Sequence, residues 1–326
     1  LSPDLKQLWQ RRLMFPSDRR FNETLKTVNA QESSEERPEA LNIRARPHQG
    51  ELTLDQGEIP TSGHNRFLDC VDVDIGFPKS GDRSTRGNEC FLLGTCRATK
   101  YDIVWPIRRR TSAGEALLEI IALYGPIKWI HTDNAPEFTN GHFHEVCVEN
   151  HIRVTYSTPH RPQMNGRAER AIGVLKGMAN EAMAFANIPP IFWDFALEYA
   201  AYVYNRTCAA SGDRSSPLNR ALGTSIDMST IRVFGSLAKV KIDNMPPFHP
   251  QTFRGLFLGR SLQHSWDTAR IFNPATNRVV LRRDVAYLEH DLPVLFVGRQ
   301  WLTKQWHQKH GQSSTGPDPL REPGPI

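Results

Sequence analysis

Between Phe67 and Phe185 the spacing of apolar residues switches repeatedly between two and 3.6, and that succession limits the architectures open to the chain. FLDCVDVDIGF, from Phe67, alternates and is closed by Gly76 and Pro78, as a strand is. Cys90–Arg97 and Tyr101–Ile107 are two further strand segments spaced like an antiparallel meander. The period then lengthens: Ala116, Leu117, Ile120, Ile121 and Leu123 follow the N-cap candidate Ser112, and Gly125-Pro126 stops that helix. Ile127–Asp133 (IKWIHTD) reads as a short apolar strand ending on a carboxylate, Pro136–Asn150 as helical and His151–Tyr156 as another strand. A long helix from Gly166 to Phe185 carries Ala168, Ile172, Leu175, Ala179 and Ala182 on one face, and a further helix spans Pro190–Asn205.

This order predicts an α/β domain, a mixed sheet with flanking helices, and a ribonuclease H-like arrangement fits it. From Ile231 the pattern returns to short strands, RVFGSLAKVKI, FRGLFLGRS and ARIFNPATNRVVLRRDVAYLE, with Asn273–Asn277 as a hairpin turn; it reads as a small β-barrel or sheet. The expected organisation is a mostly unstructured lead over 1–62, the α/β core over 63–210, a linker over 211–230, the small β domain over 231–290 and a mostly disordered tail over 291–326. The lead is assigned from Glu32–His64, polar and interrupted by Pro38, Pro47 and Pro60; the tail from the glycines and four prolines of Gln308–Ile326.

At 326 residues the chain exceeds one small module. Its apolar content of 39% contains no run near the ~18 residues of a membrane span, so no membrane partner is expected. Leu1–Arg20 lacks the apolar stretch of a signal peptide, and a chain starting at Leu1 reads as a fragment or processed product. Five cysteines without a C-x-x-C pair indicate neither a disulfide framework nor a zinc knuckle, and suit a reducing compartment. A net charge of +5 suits a nucleic-acid partner without requiring one.

Three acids stand where rigid elements end or begin. Asp72 and Asp74 share a strand face with Cys70, Asp69 falls on the opposite face with Val71, Val73 and Ile75, and Asp74 is nearest the strand's end. Asp133 ends the fourth strand, and Glu169 opens the long helix with 35 residues between them. Carboxylates so placed can converge without loops to hold them, and oxygen ligands suit hard cations such as Mg²⁺. Three can hold two ions about 3.5–4 Å apart for phosphodiester chemistry. The plainer alternative makes Asp74 and Asp133 strand-end caps and Glu169 a first-turn residue favoured by the helix dipole.

HTDNAPEF, followed by STPHRPQMNGRAER with its Glu, resembles the core of retroviral and retrotransposon integrases. VDVDIGFP is similar to that family's first acidic strand and selects Asp74, four residues before Pro78, whereas alignment through LDC selects Asp69. The segment from Ile231 resembles the SH3-like domain that follows the core in copia-type polyproteins. The resemblance implies a DDE-type polynucleotidyl transferase that joins DNA 3' ends to target DNA, with Asp74, Asp133 and Glu169 holding two Mg²⁺ or Mn²⁺ ions. It implies that Gln163 and Asn165 lie on a loop approaching DNA, while Asn165 equally suits a cap for the helix beginning at Gly166. Arg161, Arg167, Arg170 and Lys176 cluster around Glu169, as a basic face that neutralises phosphates or as a plain solvated charged face. The partners would be element ends and target DNA, the protein a homo-oligomer, and the location intracellular, in the nucleus or a retrotransposon particle. Two departures stand out: Ala135-Pro136 replaces Gly-Gly after the second acid, stiffening that turn, and no zinc-module Cys and His set precedes the core. They support an alternative, a catalytically inactive DNA-binding relic or domesticated derivative. A simple nuclease of the same fold is disfavoured by the acid spacing.

Other residues read as structure. Arg108, Arg109 and Arg110 are expected at the plain surface, His142 and His144 fall on different helix faces, and His131, Trp129 and Trp193 are expected to be buried.

Overall fold

The computed structural model describes residues 3–32, 66–78, 83–157, 166–208, 215–223, 228–242, 246, 248–265 and 267–289. The chain divides into two compact units: one comprises residues up to Ala182 together with Pro190–Ile231, the other Met183–Pro189 and the chain from Arg232 onward.

In the first unit β1 (Val71–Gly76), β2 (Cys90–Cys96) and β3 (Asp102–Ile107) form the expected meander, while β4 (Trp129–Thr132) and β5 (Arg153–Tyr156) add in parallel beside β1. The strand order β3-β2-β1-β4-β5 is a mixed sheet that fits the ribonuclease H-like expectation. Alternation along β1 sends Val71, Val73 and Ile75 into a core shared with Ala116, Leu117 and Ile120 of α3 (Ala113–Tyr124). Phe143, Val146 and Cys147 belong to the same core. The opposite face of β1 carries Asp72 and Asp74. At its end Gly76 is sterically required: a Cβ there would lie 2.0 Å from Cζ of Phe91.

The helix expected over Pro136–Asn150 is two helices, α4 (Pro136–Thr139) and α5 (His142–Glu149), broken at Gly141. Gly141 has φ of +69°, a left-handed conformation that no helix interior accepts. Ser112 precedes α3 as expected but makes no side-chain capping bond; a 3-10 turn, Arg110–Ser112, leads in instead. α6 (Gly166–Phe185) has the bounds read from the sequence and buries Ala168, Leu175, Ala179 and Ala182. α7 (Trp193–Arg206) buries Phe195, Tyr199 and Val203. Trp129 and Trp193 are buried, as expected.

The described part of the lead is helical, against expectation. α1 (Pro3–Arg12) and α2 (Asp18–Glu32) are joined by a turn whose Leu13 and Met14 are fully buried, and Phe21 is 1% exposed. Arg20 anchors α2 to the end of α7: its Nε donates to Thr207 Oγ1 at 2.7 Å and its guanidinium lies 3.7 Å from the Tyr204 ring centroid. The supposed linker also holds structure, α8 (Pro217–Leu222), whose N-cap Ser216 accepts the Asn219 N–H at 3.0 Å and whose end is closed by the left-handed Gly223. The tail over 291–326 lies outside the described residues.

The second unit is an antiparallel sheet of β6 (Leu237–Lys241), β7 (Thr252–Arg260), β8 (Ala269–Asn273), β9 (Arg278–Arg282) and β10 (Val285–Leu288), in the order β10-β6-β7-β8-β9. Leu237, Val240, Leu256, Phe257, Ile271 and Phe272 are among its buried residues, and Glu289 accepts the Val233 N–H at 2.9 Å. Among the described residues β10 and β9 end the pairing order, so the sheet is shown and closure into a barrel is not.

Candidate active site

β1 and β4 run parallel with Asp72 level with His131, so continuing that register places Asp74 level with Asp133 at the same end of the sheet. Asp74 Oδ1 accepts the N–H of Ile75 at 2.7 Å. Asp133 follows β4 in a turn closed by its own side chain, Oδ1 accepting the Ala135 N–H at 3.1 Å. Ala135-Pro136 is compatible with that turn: Pro136 occupies the first position of α4, where a missing N–H costs nothing.

Two residues flanking Asp133 fix its surroundings. His131, 1% exposed, has Nδ1 3.0 Å from Thr155 Oγ1 and Nε2 3.2 Å from Ser157 Oγ, and Asn134 Nδ2 donates to the Ser157 carbonyl at 2.9 Å. These bonds tie the ends of β4 and β5 together, so His131 is the buried structural residue expected.

Glu169 projects from the first turn of α6. It lies close enough to the strand ends to act on Asp74: burial pushes the Asp74 carboxyl up to about 6, and the negative charges of Asp133, Glu169 and Glu137 add to the rise. Glu137 is the member that the sequence reading missed. It lies on α4 four residues beyond Asp133, only 11% exposed, with its Oε1 3.5 Å from Arg110 Nη1. Its presence in HTDNAPEF, one helical turn past an acid, was the available signal.

Asp69, Asp72 and Asp74 differ in their partners. Asp69 is paired with Lys128 at 2.8 Å and accepts the Arg66 N–H at 3.0 Å. Asp72 is buried and takes Arg97 Nε on both oxygens, at 2.9 and 3.0 Å, with Arg167 Nη1 at 3.7 Å. Among the described residues no cation pairs with Asp74, Asp133 or Glu169. An oxygen-only set with uncompensated negative charge fits a hard divalent cation. Among the described residues, however, no three His, Cys, Asp or Glu side chains form a closed ligand group in this conformation.

Of the expected DNA contacts, Gln163 and Asn165 lie outside the described residues, as does Arg161. Arg167 leans on Asp72, Arg170 is exposed on α6, and Lys176 donates from Nζ to the Phe77 carbonyl at 2.6 Å, at the end of β1. His142 pairs with Glu145 at 3.5 Å.

No protein-family model matches the chain. It is 26% identical over 233 residues to the retrovirus-related Pol polyprotein from transposon TNT 1-94 of Nicotiana tabacum, covering 69% of this chain. It is 31% identical over 154 residues to that from transposon 412 of Drosophila melanogaster, covering 46% of this chain. The chain spans 17% of the first relative's length and 12% of the second's. A solved structure of the HTLV-2 integrase catalytic core domain in complex with magnesium has 20% identity and a TM-score of 0.39, over 47% of this chain and 96% of that one. Among the described residues no helix is long and apolar enough to cross a membrane. The homologues of this chain are thus retrotransposon Pol polyproteins, and copia-type is consistent with them.

Proposed function

We propose that this chain is the integrase segment of a retrotransposon polyprotein, a DDE-type polynucleotidyl transferase that joins DNA 3' ends to target DNA. The observation that carries this reading is the acidic cluster at the sheet end: Asp74, without a cation partner among the described residues, is pushed up to about 6 by burial and by Asp133, Glu169 and Glu137. A protein that accumulates negative charge in a half-buried place does so at a cost in stability, and a cationic ligand offsets it. Asp74, Asp133 and Glu169 would hold two Mg²⁺ or Mn²⁺ ions. Bound there, such ions supply activation of the attacking oxygen and stabilisation of the leaving oxygen in a phosphoryl displacement.

The remaining work falls to the chain itself. His131 and Asn134 hold β5 against the Asp133 turn, fixing that carboxylate's position. Arg97 occupies Asp72, which keeps the second acid of β1 out of the ligand set. Arg167 and Arg170 bring positive charge to the start of α6 and Lys176 to the end of β1, where DNA phosphates need neutralising. Gln163 and Asn165 would contact the DNA end. The second unit's sheet is read as the SH3-like domain of such polyproteins, and the working protein as a homo-oligomer bound to element ends and target DNA.

The test is joining of a labelled short duplex to a plasmid in Mn²⁺, with Glu169→Gln in parallel. Joined product from the parent and none from the variant supports the reading. No joined product from the parent, with DNA still bound, overturns it in favour of a binding protein.

A further inference from the structure

A groove of about 510 Å³ opens beside the acidic cluster, lined by Phe77, Pro78, Arg83, Arg109, Arg110 and Thr111, with Glu89 and Cys90 completing it. It joins the end of β1 to the end of β3, and Arg110 links it to the cluster. The guanidinium of Arg110 stacks on the Phe77 ring at 4.5 Å and reaches Glu137 on its other side. Lys176 holds the Phe77 carbonyl, so the aromatic wall is tied to the helix that carries Glu169.

Three arginines face one lining carboxylate, Glu89, which pairs with Arg83. Arg110 is compensated by Glu137. Arg109 is exposed, and among the described residues it forms no ion pair. The lining also has an apolar part, Phe77 and Pro78, with Phe77 39% exposed. Guanidinium groups beside apolar side chains match a strand whose phosphates alternate with sugars: arginine takes phosphate oxygens, and the ring and Pro78 cover deoxyribose. An acidic cluster alone repels such a strand, so a basic groove adjoining it is what a phosphodiester needs to approach the carboxylates.

We infer that this groove cradles the sugar-phosphate backbone of a DNA strand running past Asp74, with Arg109 as its principal phosphate contact. This rests on the proposed function and adds residues that the sequence reading assigned to plain surface.

The test is fluorescence anisotropy of a labelled duplex across a salt series with the parent chain, Arg109→Glu, Arg109→Lys and, as a charge-matched control on α1, Lys6→Glu. Arg109→Glu should weaken binding roughly tenfold near 0.1 M salt and flatten the slope of log affinity against log salt by about one. Arg109→Lys should restore most of the affinity, and Lys6→Glu should stay within about twofold of the parent. Equal behaviour of Arg109→Glu and Lys6→Glu overturns the inference. So does displacement of the duplex by millimolar deoxynucleoside monophosphate, which would make the groove a mononucleotide pocket. The joining assay separates the two claims. Joining that requires Glu169, with Arg109→Glu binding like the control, removes the groove alone; Arg109-dependent binding with no joining removes the integrase reading alone.

Discussion

Asp72 and Asp74 leave the same face of β1 two residues apart, yet the protein treats them in opposite ways. At the inner position Arg97 grips both oxygens of Asp72 and the carboxylate is fully buried. At the outer position Asp74 has a single backbone N–H, no cation among the described residues, and three further carboxylates acting on it. A buried acid that is paired belongs to the fold. One left unpaired among like charges is held at a cost, which makes it a candidate for function.

The largest expected effect breaks the comparison at its outer end: Asp74→Asn should lower joining by about a thousandfold or more, in keeping with loss of an essential group. Asp72→Asn should act on folding instead, since it leaves Arg97 incompletely paired, and should cost about 2–4 kcal/mol in urea unfolding at neutral pH.

Asp74 titrates near 6, above the ordinary 3.8, so its folded form holds a proton more tightly than the unfolded chain does. Its contribution is therefore favourable below about 3.8 and lost as pH rises through about 6, where ionisation in the crowded site becomes a penalty. Asp74→Asn removes that penalty, so without divalent metal the variant should be more stable than the parent at pH 7.5 by about 1–3 kcal/mol, and equal to it near pH 4. Mn²⁺ binding, followed by calorimetry, should weaken in the parent as pH falls through about 6. The smallest effect sharpens the role of Glu137: Glu137→Gln should move that binding midpoint downward by a few tenths of a pH unit, because its charge is the last of the contributions to the rise.

Much of the sheet was legible because two-residue alternation and 3.6-residue spacing differ sharply in FLDCVDVDIGF and in Gly166–Phe185. The break at Gly141 was not, since a single glycine in a periodic stretch reads as tolerable until its φ is known. The N-terminal helices escaped because their stability is tertiary: three apolar residues, Leu13, Met14 and Phe21, and the reach of Arg20 to Thr207 hold them, and no local pattern announces a contact 187 residues away. At the site, the strand and helix positions of Asp74, Asp133 and Glu169 were readable from spacing. What separates Asp74 from Asp72 was not, because Arg97 meets Asp72 only through the antiparallel register that sets Asp72 opposite Thr95.

If the unpaired acids at the sheet end are the working ones, strand joining must depend on Asp74 and not on Asp72. The most direct measurement compares Mn²⁺-dependent strand joining by the parent, Asp74→Asn and a folded Asp72→Asn, each checked for folding by circular dichroism. Joined product is expected from the parent and from folded Asp72→Asn, and none from Asp74→Asn. Joining that survives in Asp74→Asn would contradict that dependence.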